Sequence, residues 1–361
     1  MFNYNNNFKN HLSRQIKLAR RALFGILSKT QHLQLSVDVQ CQLFTSTILP
    51  IILYACEIWG FEDLNQIEIF QRNFIRNLLK LKSYTSSCML YGESGLMELS
   101  CTIKVRMISF WYKIVTGNNH KLSYLMYRLI KKMHDDTNNE YRSKWITCIE
   151  STINDLGLRN IWLYEGDGFS LDYIKRCIKL RISDVYQQNW YTSVTGNVHC
   201  HFYRMLKDQI GLRWCHPLLS FKDRTSLVRF RCRNHLLPVT RNRFYNVNRS
   251  DLMCTYCADN VLGDEFHYFF TCPIFRENRM KYLGKQIFQN PSVITLRSFF
   301  NSNNINLLRK VARFSQSIID HFENLITINS GVDLQPFTVN IGNTTSSGRR
   351  VARPARFDDY I

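Results

Sequence analysis

Residues 8–28 read FKNHLSRQIKLARRALFGILS, and this stretch decides the fold class. Phe8, Leu12, Ile16, Ala19, Leu23 and Ile26 recur at steps of three and four, which gathers them on one face of an α-helix. Lys9, Arg14, Lys17, Arg20 and Arg21 lie off that face, and no acid precedes Asp38. A basic face of this kind is either a solvated helix surface or a contact for a polyanion, and the pattern alone does not separate the two.

The same period returns downstream. Asp63 followed by Gln66 has the form of a capping box, and it opens a run with Leu64, Ile67, Phe70, Phe74, Leu78 and Leu81 on the buried face. Glu68, Arg72, Arg76 and Lys80 are expected outside. Helices are further expected at 98–115 and 121–133, parted by Gly117-Asn118-Asn119, and at 141–153, 171–188, 200–209 and 305–327. Neither an internal repeat nor a run of strands stands out, and 15 glycines and 7 prolines are few for 361 residues. The chain therefore reads as mainly α, with helical bundle-like N-terminal and middle regions and a small zinc-binding module near the C-terminus.

Composition sets outer bounds. Apolar residues make up 45% and charged residues 21%, enough to bury a core and too apolar for a wholly disordered chain. The composition shifts suggest a helical domain over 1–133, a connector over 134–223, an arginine-rich segment with the metal module over 224–285, a helical region over 286–330 and a disordered basic tail over 331–361. The formal charge is +19, which calls for a polyanionic partner or surface. The N-terminus has no signal-peptide pattern, and the longest apolar run, Ile48 to Cys56, is far short of the roughly 20 residues a membrane span needs. The expectation is an intracellular chain, nuclear or cytoplasmic, with no membrane partner; Arg349, Arg350 and Arg353 are a weak localisation signal. In a reducing compartment most of the 12 cysteines are expected as small buried hydrophobes.

Between Arg224 and Ser250 stand Arg224, Arg229, Arg231, Arg233, Arg241, Arg243 and Arg249 without a single acid, with Phe230, Phe244 and Tyr245 interleaved. Guanidinium groups reach phosphates and flat rings stack on unpaired bases, so the stretch reads as a nucleic-acid contact, with Arg14, Lys17 and Arg21 as a second one. A merely soluble arginine-rich surface is the alternative. Directly after it, Cys254, Cys257, His267 and Cys272 form C-x2-C-x9-H-x4-C. Two thiolates from a tight turn, joined by an imidazole and a thiolate from a following helix, complete a tetrahedron around zinc; buried cysteines beside a chance histidine are the plainer reading. Four protein ligands leave no open position, so this zinc would be structural.

Signs of catalysis are weak. Met133-His134-Asp135-Asp136 and Phe357-Asp358-Asp359-Tyr360 are the nearest approaches to a polymerase carboxylate pair, and neither has the right surroundings. No phosphate-binding glycine loop, nucleophile elbow or His-Glu-x-x-His occurs. The expectation is a protein that is not an enzyme.

Leu49-Pro50-Ile51-Ile52-Leu53-Tyr54-Ala55-Cys56-Glu57-Ile58-Trp59-Gly60 resembles the segment beyond the polymerase palm in LINE-type, non-long-terminal-repeat retrotransposon reverse transcriptases. Tyr91-Gly92-Glu93-Ser94-Gly95 is similar to a block that follows there. Arg233-Asn234-His235-Leu236-Leu237-Pro238-Val239, with the cysteine pair and Gly263-Asp264-Glu265-Phe266-His267-Tyr268, resembles their C-terminal Cys-Cys-His-Cys module. The resemblance is colinear over roughly 4–330. It implies a thumb-like and zinc-binding fragment that grips RNA or DNA through Cys254, Cys257, His267, Cys272 and the preceding arginines. The family's fingers, palm and catalytic Asp-Asp would lie upstream of residue 1, so polymerase activity does not carry over; a polymerase supplied in trans is a possible partner. Ala55 stands where the family usually has glycine. The rival expectation is a structural or interaction protein whose zinc only staples one domain.

Overall fold

The computed structural model describes residues 8–30, 32–136, 138, 140–211, 218–240, 252–257, 261–284 and 291–330, the last five by backbone alone. Helices dominate, as the periodicity requires. In chain order they are α1 (Lys9–Thr30), α2 (Val37–Leu43), α3 (Leu49–Ile52), α4 (Cys56–Trp59), α5 (Asn65–Leu79), α6 (Ser87–Ser94), α7 (Leu99–Val115) and α8 (Leu122–Asp135). There follow α9 (Lys144–Asp155), α10 (Arg159–Leu163), α11 (Leu171–Gly196), α12 (His201–Leu206), α13 (Phe221–Arg231), α14 (Glu265–Phe270), α15 (Arg276–Leu283), α16 (Val293–Phe300) and α17 (Ile305–Ser330). Among the described residues the one extended pairing is an antiparallel bridge between Met253 and Leu262. Among them, too, no helix is long and apolar enough to cross a membrane.

By contact the chain forms two compact units, each from non-contiguous stretches: Met1–Arg72 with Gly95–Ser193, and Asn73–Ser94 with Val194–Ile361. Composition marked five consecutive segments instead, because it follows the chain and not its long-range pairings. The expected tail at 331–361 lies outside the described residues.

In the first unit α1 buries Leu12, Ile16 and Ala19, with Phe8, Leu23 and Ile26 half-buried beside them. The Leu49–Gly60 stretch supplies much of this unit's core. Ile52, Leu53, Cys56 and Trp59 are buried, and the Trp59 indole donates to the Tyr54 carbonyl at 2.8 Å. Gly60 is required by close approach, since a Cβ there would lie 2.3 Å from Ile103 Cγ2 and 2.7 Å from the Cys56 carbonyl oxygen. Ala55 has φ 57° and ψ 27°, the left-handed conformation that glycine adopts at no steric cost. The turn that glycine would make is thus kept here under strain.

Two readings of α5 need correction. The Asp63 carboxylate caps the helix by accepting from the Asn65 amide at 3.0 Å, and Ile67, Phe70 and Phe74 are buried as expected. Glu68, expected outside, is buried and accepts from the Ser100 amide at 2.8 Å. Leu78 is only half-buried, while Ile75 and Leu79 are buried.

The second unit is built on an aromatic cluster. Phe230 stacks on Phe300 with ring centres 5.6 Å apart, and Phe269 meets Phe300 at 5.3 Å and Phe314 at 5.2 Å. Into this apolar interior the chain places a charge. Arg231 and Glu93 are both fully buried, joined by Nε to Oε2 at 3.1 Å and Nη2 to Oε1 at 3.2 Å. Arg231 Nη1 also donates to the Phe300 carbonyl and to Asn301 Oδ1, each at 3.1 Å. Lys207 Nζ stands 3.5 Å from Glu93 Oε1. Burial pushes the Glu93 carboxyl up, but Arg231 and Lys207 outweigh it and hold the group below its ordinary 4.5.

Because that folded-state value lies below the unfolded one, the Glu93 contribution is complete above pH 4.5 and is lost as pH falls through the depressed folded value. Glu93→Gln should cost about 3–5 kcal/mol in urea unfolding at pH 7, because it strands a buried guanidinium. The deficit should shrink in acid, where the wild type loses the same interaction; an equal deficit at acidic and neutral pH would refute this. Ala55→Gly should raise the stability of the first unit by up to about 1 kcal/mol through relief of the left-handed strain, less the entropy cost of glycine.

Candidate metal centre

The ligand set begins with a knuckle. The Cys254 amide donates to the Val261 carbonyl at 2.7 Å and the Gly263 amide to the Leu252 carbonyl at 2.9 Å, which turns the Cys254–Cys257 segment back on itself. The chain then enters α14 through Asp264, whose Oδ1 accepts from the His267 amide at 2.8 Å as an N-cap. His267 thereby sits in the first turn of α14, and Cys272 lies just past its end. The Cys272 carbonyl, with those of Tyr268 and Phe269, is held by the buried Arg279 guanidinium at 2.7–3.1 Å. Arg279 thus gathers the carbonyls that the short α14 leaves open.

The ligand atoms of Cys254, Cys257, His267 and Cys272 all lie within 4.8 Å of one another. Cys254 Sγ and Cys272 Sγ are 3.8 Å apart, and Cys257 Sγ is 3.4 Å from His267 Nε2. A tetrahedron with metal–sulfur bonds of about 2.3 Å and metal–nitrogen bonds of about 2.0–2.1 Å has edges of about 3.8 and 3.5 Å. The four residues fit a four-coordinate metal ion. His267 Nδ1 lies 2.9 Å from Thr271 Oγ1, so the second ring nitrogen has its own partner and Nε2 is left to the ligand position. Burial and the nearby Arg279 charge hold His267 below its ordinary 6.5, which favours the neutral, ligating imidazole.

The centre is tied into the second unit from two sides. Tyr256, between the two knuckle cysteines, has its hydroxyl 2.9 Å from His321 Nε2 on α17. On the other side Glu265, fully buried at the start of α14, pairs with Arg233, and His235 Nε2 is 3.5 Å from the same carboxylate. Burial pushes Glu265 up, yet Arg233 and His235 bring it below its usual 4.5. Arg233 itself has φ 55°, a left-handed backbone that non-glycine residues adopt only rarely.

The arginine stretch needs correction. Arg231 and Arg233 are buried and committed to Glu93 and Glu265, so neither guanidinium faces solvent. Arg224 is buried as well, and Arg229 is partly buried against Glu323. Arg241, Arg243 and Arg249 lie outside the described residues. By contrast Arg14, Lys17 and Arg21 on α1 are exposed, together with Lys9 and Arg20. Asp135, half of the Asp135-Asp136 pair, is engaged by Lys131 Nζ at 2.7 Å one turn earlier on α8.

Sequence reasoning found the four candidate ligands and missed their supports: Thr271, Tyr256, Glu265 and Arg279. The last two lack any local signature, since their partners lie 32 residues upstream in one case and on backbone carbonyls in the other. Comparison with protein-family models, with curated proteins and with solved structures finds no match for this chain.

Chelation of a metal-loaded preparation should release one ion per chain and lower the second unit's melting temperature. Thr271→Val keeps all four ligands but removes the support of Nδ1, and should weaken metal affinity about 10–100-fold in a chelator competition titration.

Proposed function

We propose that this protein is a nucleic-acid-binding module whose C-terminal part is stapled by structural zinc, similar to the region LINE-type reverse transcriptases carry beyond their polymerase palm. The single observation that carries the binding role is the exposed basic face of α1. Arg14, Lys17 and Arg21 fall within a quarter-turn of one another on a helix that contains no acid, and none of them is ion-paired with a described residue. With a chain charge of +19, such a face attracts phosphate.

Zinc is favoured by the donor chemistry. Three thiolates and one imidazole at tetrahedral spacing suit a soft, four-coordinate ion, and four protein ligands leave no site for a reacting water. The colinear resemblance in the Leu49–Gly60, Tyr91–Gly95 and Arg233–Val239 blocks supports the family reading. Two of these blocks have evident physical tasks: Gly60 permits a close approach, and the Glu93 carboxylate meets Arg231. The ligand class is RNA or DNA, and the reading is of binding without catalysis.

The test is fluorescence anisotropy against a structured RNA and a duplex DNA over a salt series. Arg14, Lys17 and Arg21 changed together to Gln should leave the fold intact, because all three are exposed. The variant should flatten the slope of log affinity against log salt by about 2–3, with affinity reduced more at low salt than at high. An unchanged slope would remove α1 as the contact and favour a structural protein whose zinc only holds one unit together.

A further inference from the structure

We propose that Cys88 and Cys200 are a redox-active dithiol that closes to a disulfide when the protein meets a two-electron oxidant of the peroxide class. The two sulfurs are 3.4 Å apart although the residues are separated by 112 positions in the chain. Cys88 lies in the first turn of α6, and Cys200 ends the short 3-10 turn Val198–Cys200 before α12. Both carriers are held in place by neighbouring hydrogen bonds. Asn197 Nδ2 donates to Ser86 Oγ at 3.2 Å, Asn234 Nδ2 donates to Thr85 Oγ1 at 2.9 Å, and Arg233 Nη1 donates to the His199 carbonyl at 3.1 Å. A disulfide needs the sulfurs at about 2.05 Å, so closure asks for a relative shift of about 1.4 Å, within reach of side-chain rotation.

The chemical environment separates Cys88 from the buried Cys56 and Cys101. Cys88 is brought down to about 7, first by hydrogen bonding with Cys200, against burial, and further by Ser86 Oγ at 3.1 Å. Cys56 and Cys101 are pushed by burial to about 11, which leaves them as inert thiols at neutral pH. The Cys88 thiolate attacks one peroxide oxygen. The O–O bond breaks, Cys88 becomes a sulfenic acid, and the departing hydroxide takes up a proton to become water. Cys200 sulfur then attacks Cys88 sulfur, the S–S bond forms, the S–O bond breaks, and the leaving hydroxide accepts the Cys200 proton as a second water. The sum is two thiols and one hydrogen peroxide giving one disulfide and two waters.

The new bond would fasten α6, which carries Glu93, to the turn that Arg233 holds through the His199 carbonyl. Its effect is on the second unit alone and does not depend on nucleic-acid binding. The disulfide closes a loop of more than one hundred residues, so the oxidised unit should melt several degrees higher than the reduced one.

The experiment treats the zinc-loaded full chain with hydrogen peroxide at neutral pH, the metal shielding Cys254, Cys257 and Cys272. Peptide mapping without reductant should give a cross-linked peptide pair containing Cys88 and Cys200. Intact mass should fall by about 2 Da, and dithiothreitol should reverse both changes. Cys200→Ser should abolish the link and leave Cys88 open to a sulfenic-acid trap. The half-buried Cys148 and Cys177 serve as internal controls for oxidant delivery. If they are oxidised while Cys88 and Cys200 stay reduced, the proposal fails. It fails equally if the link appears only after urea unfolding, and neither result depends on any variant being foldable.

Discussion

A guanidinium taken out of water with nothing to receive its charge costs several kcal/mol, and Arg231 is fully buried. Its partners in the second unit meet that cost. Glu93 supplies a forked carboxylate, the Phe300 carbonyl and Asn301 accept the remaining donors, and Phe230 and Phe300 stack beside the group. Because Glu93 is 138 positions away in the chain, this pair requires α6 to leave its sequence neighbours and join the C-terminal half. The pair Arg233–Glu265 repeats the device one step closer to the metal centre. Two buried ion pairs therefore fix where α13, α6 and the metal-binding segment stand within one unit.

The same devices explain what the sequence made legible. Helices with one wet and one dry face announce themselves by period, and α1, α7, α8 and α17 lie within a few residues of where periodicity placed them. The four candidate ligands were equally plain, since thiolates with two residues between them have a local geometry that needs no knowledge of the rest of the chain. Helix α6 gave no such signal because every one of its residues after Ser87 is buried, so no polar face alternates with an apolar one. Helix α13 hid for the same reason, burying Asp223, Arg224 and Arg231 among its apolar residues.

Arg229, Arg231 and Arg233 were misread through this very blindness. Charge counted along a sequence carries no information about distance in space, and the acids that neutralise Arg229, Arg231 and Arg233 come from Glu323, Glu93 and Glu265. The described part of this acid-free window, Arg229 to Arg233, thus meets carboxylates that arrive from elsewhere in the chain. On α1 the cations stay exposed, because that helix has no acid of its own and turns its basic face outward. Glu68 repeats the lesson on a small scale: a residue at a polar position of the period is buried because a neighbouring helix start offers it an amide.

The interleaved assembly of the two units has a consequence for synthesis. Residues Asn73–Ser94 leave the ribosome about one hundred positions before Val194, the start of the stretch they pack with. At translation speeds of 5–20 residues per second that interval is roughly 5–20 s, far longer than a helix needs to form. Through it, the apolar side chains of Met89, Leu90 and Tyr91 and the carboxylate of Glu93 have none of their final neighbours from the C-terminal half. The nascent chain is most exposed to aggregation and to chaperone capture during this wait, and truncated products ending before residue 231 lack the cation that Glu93 is buried against.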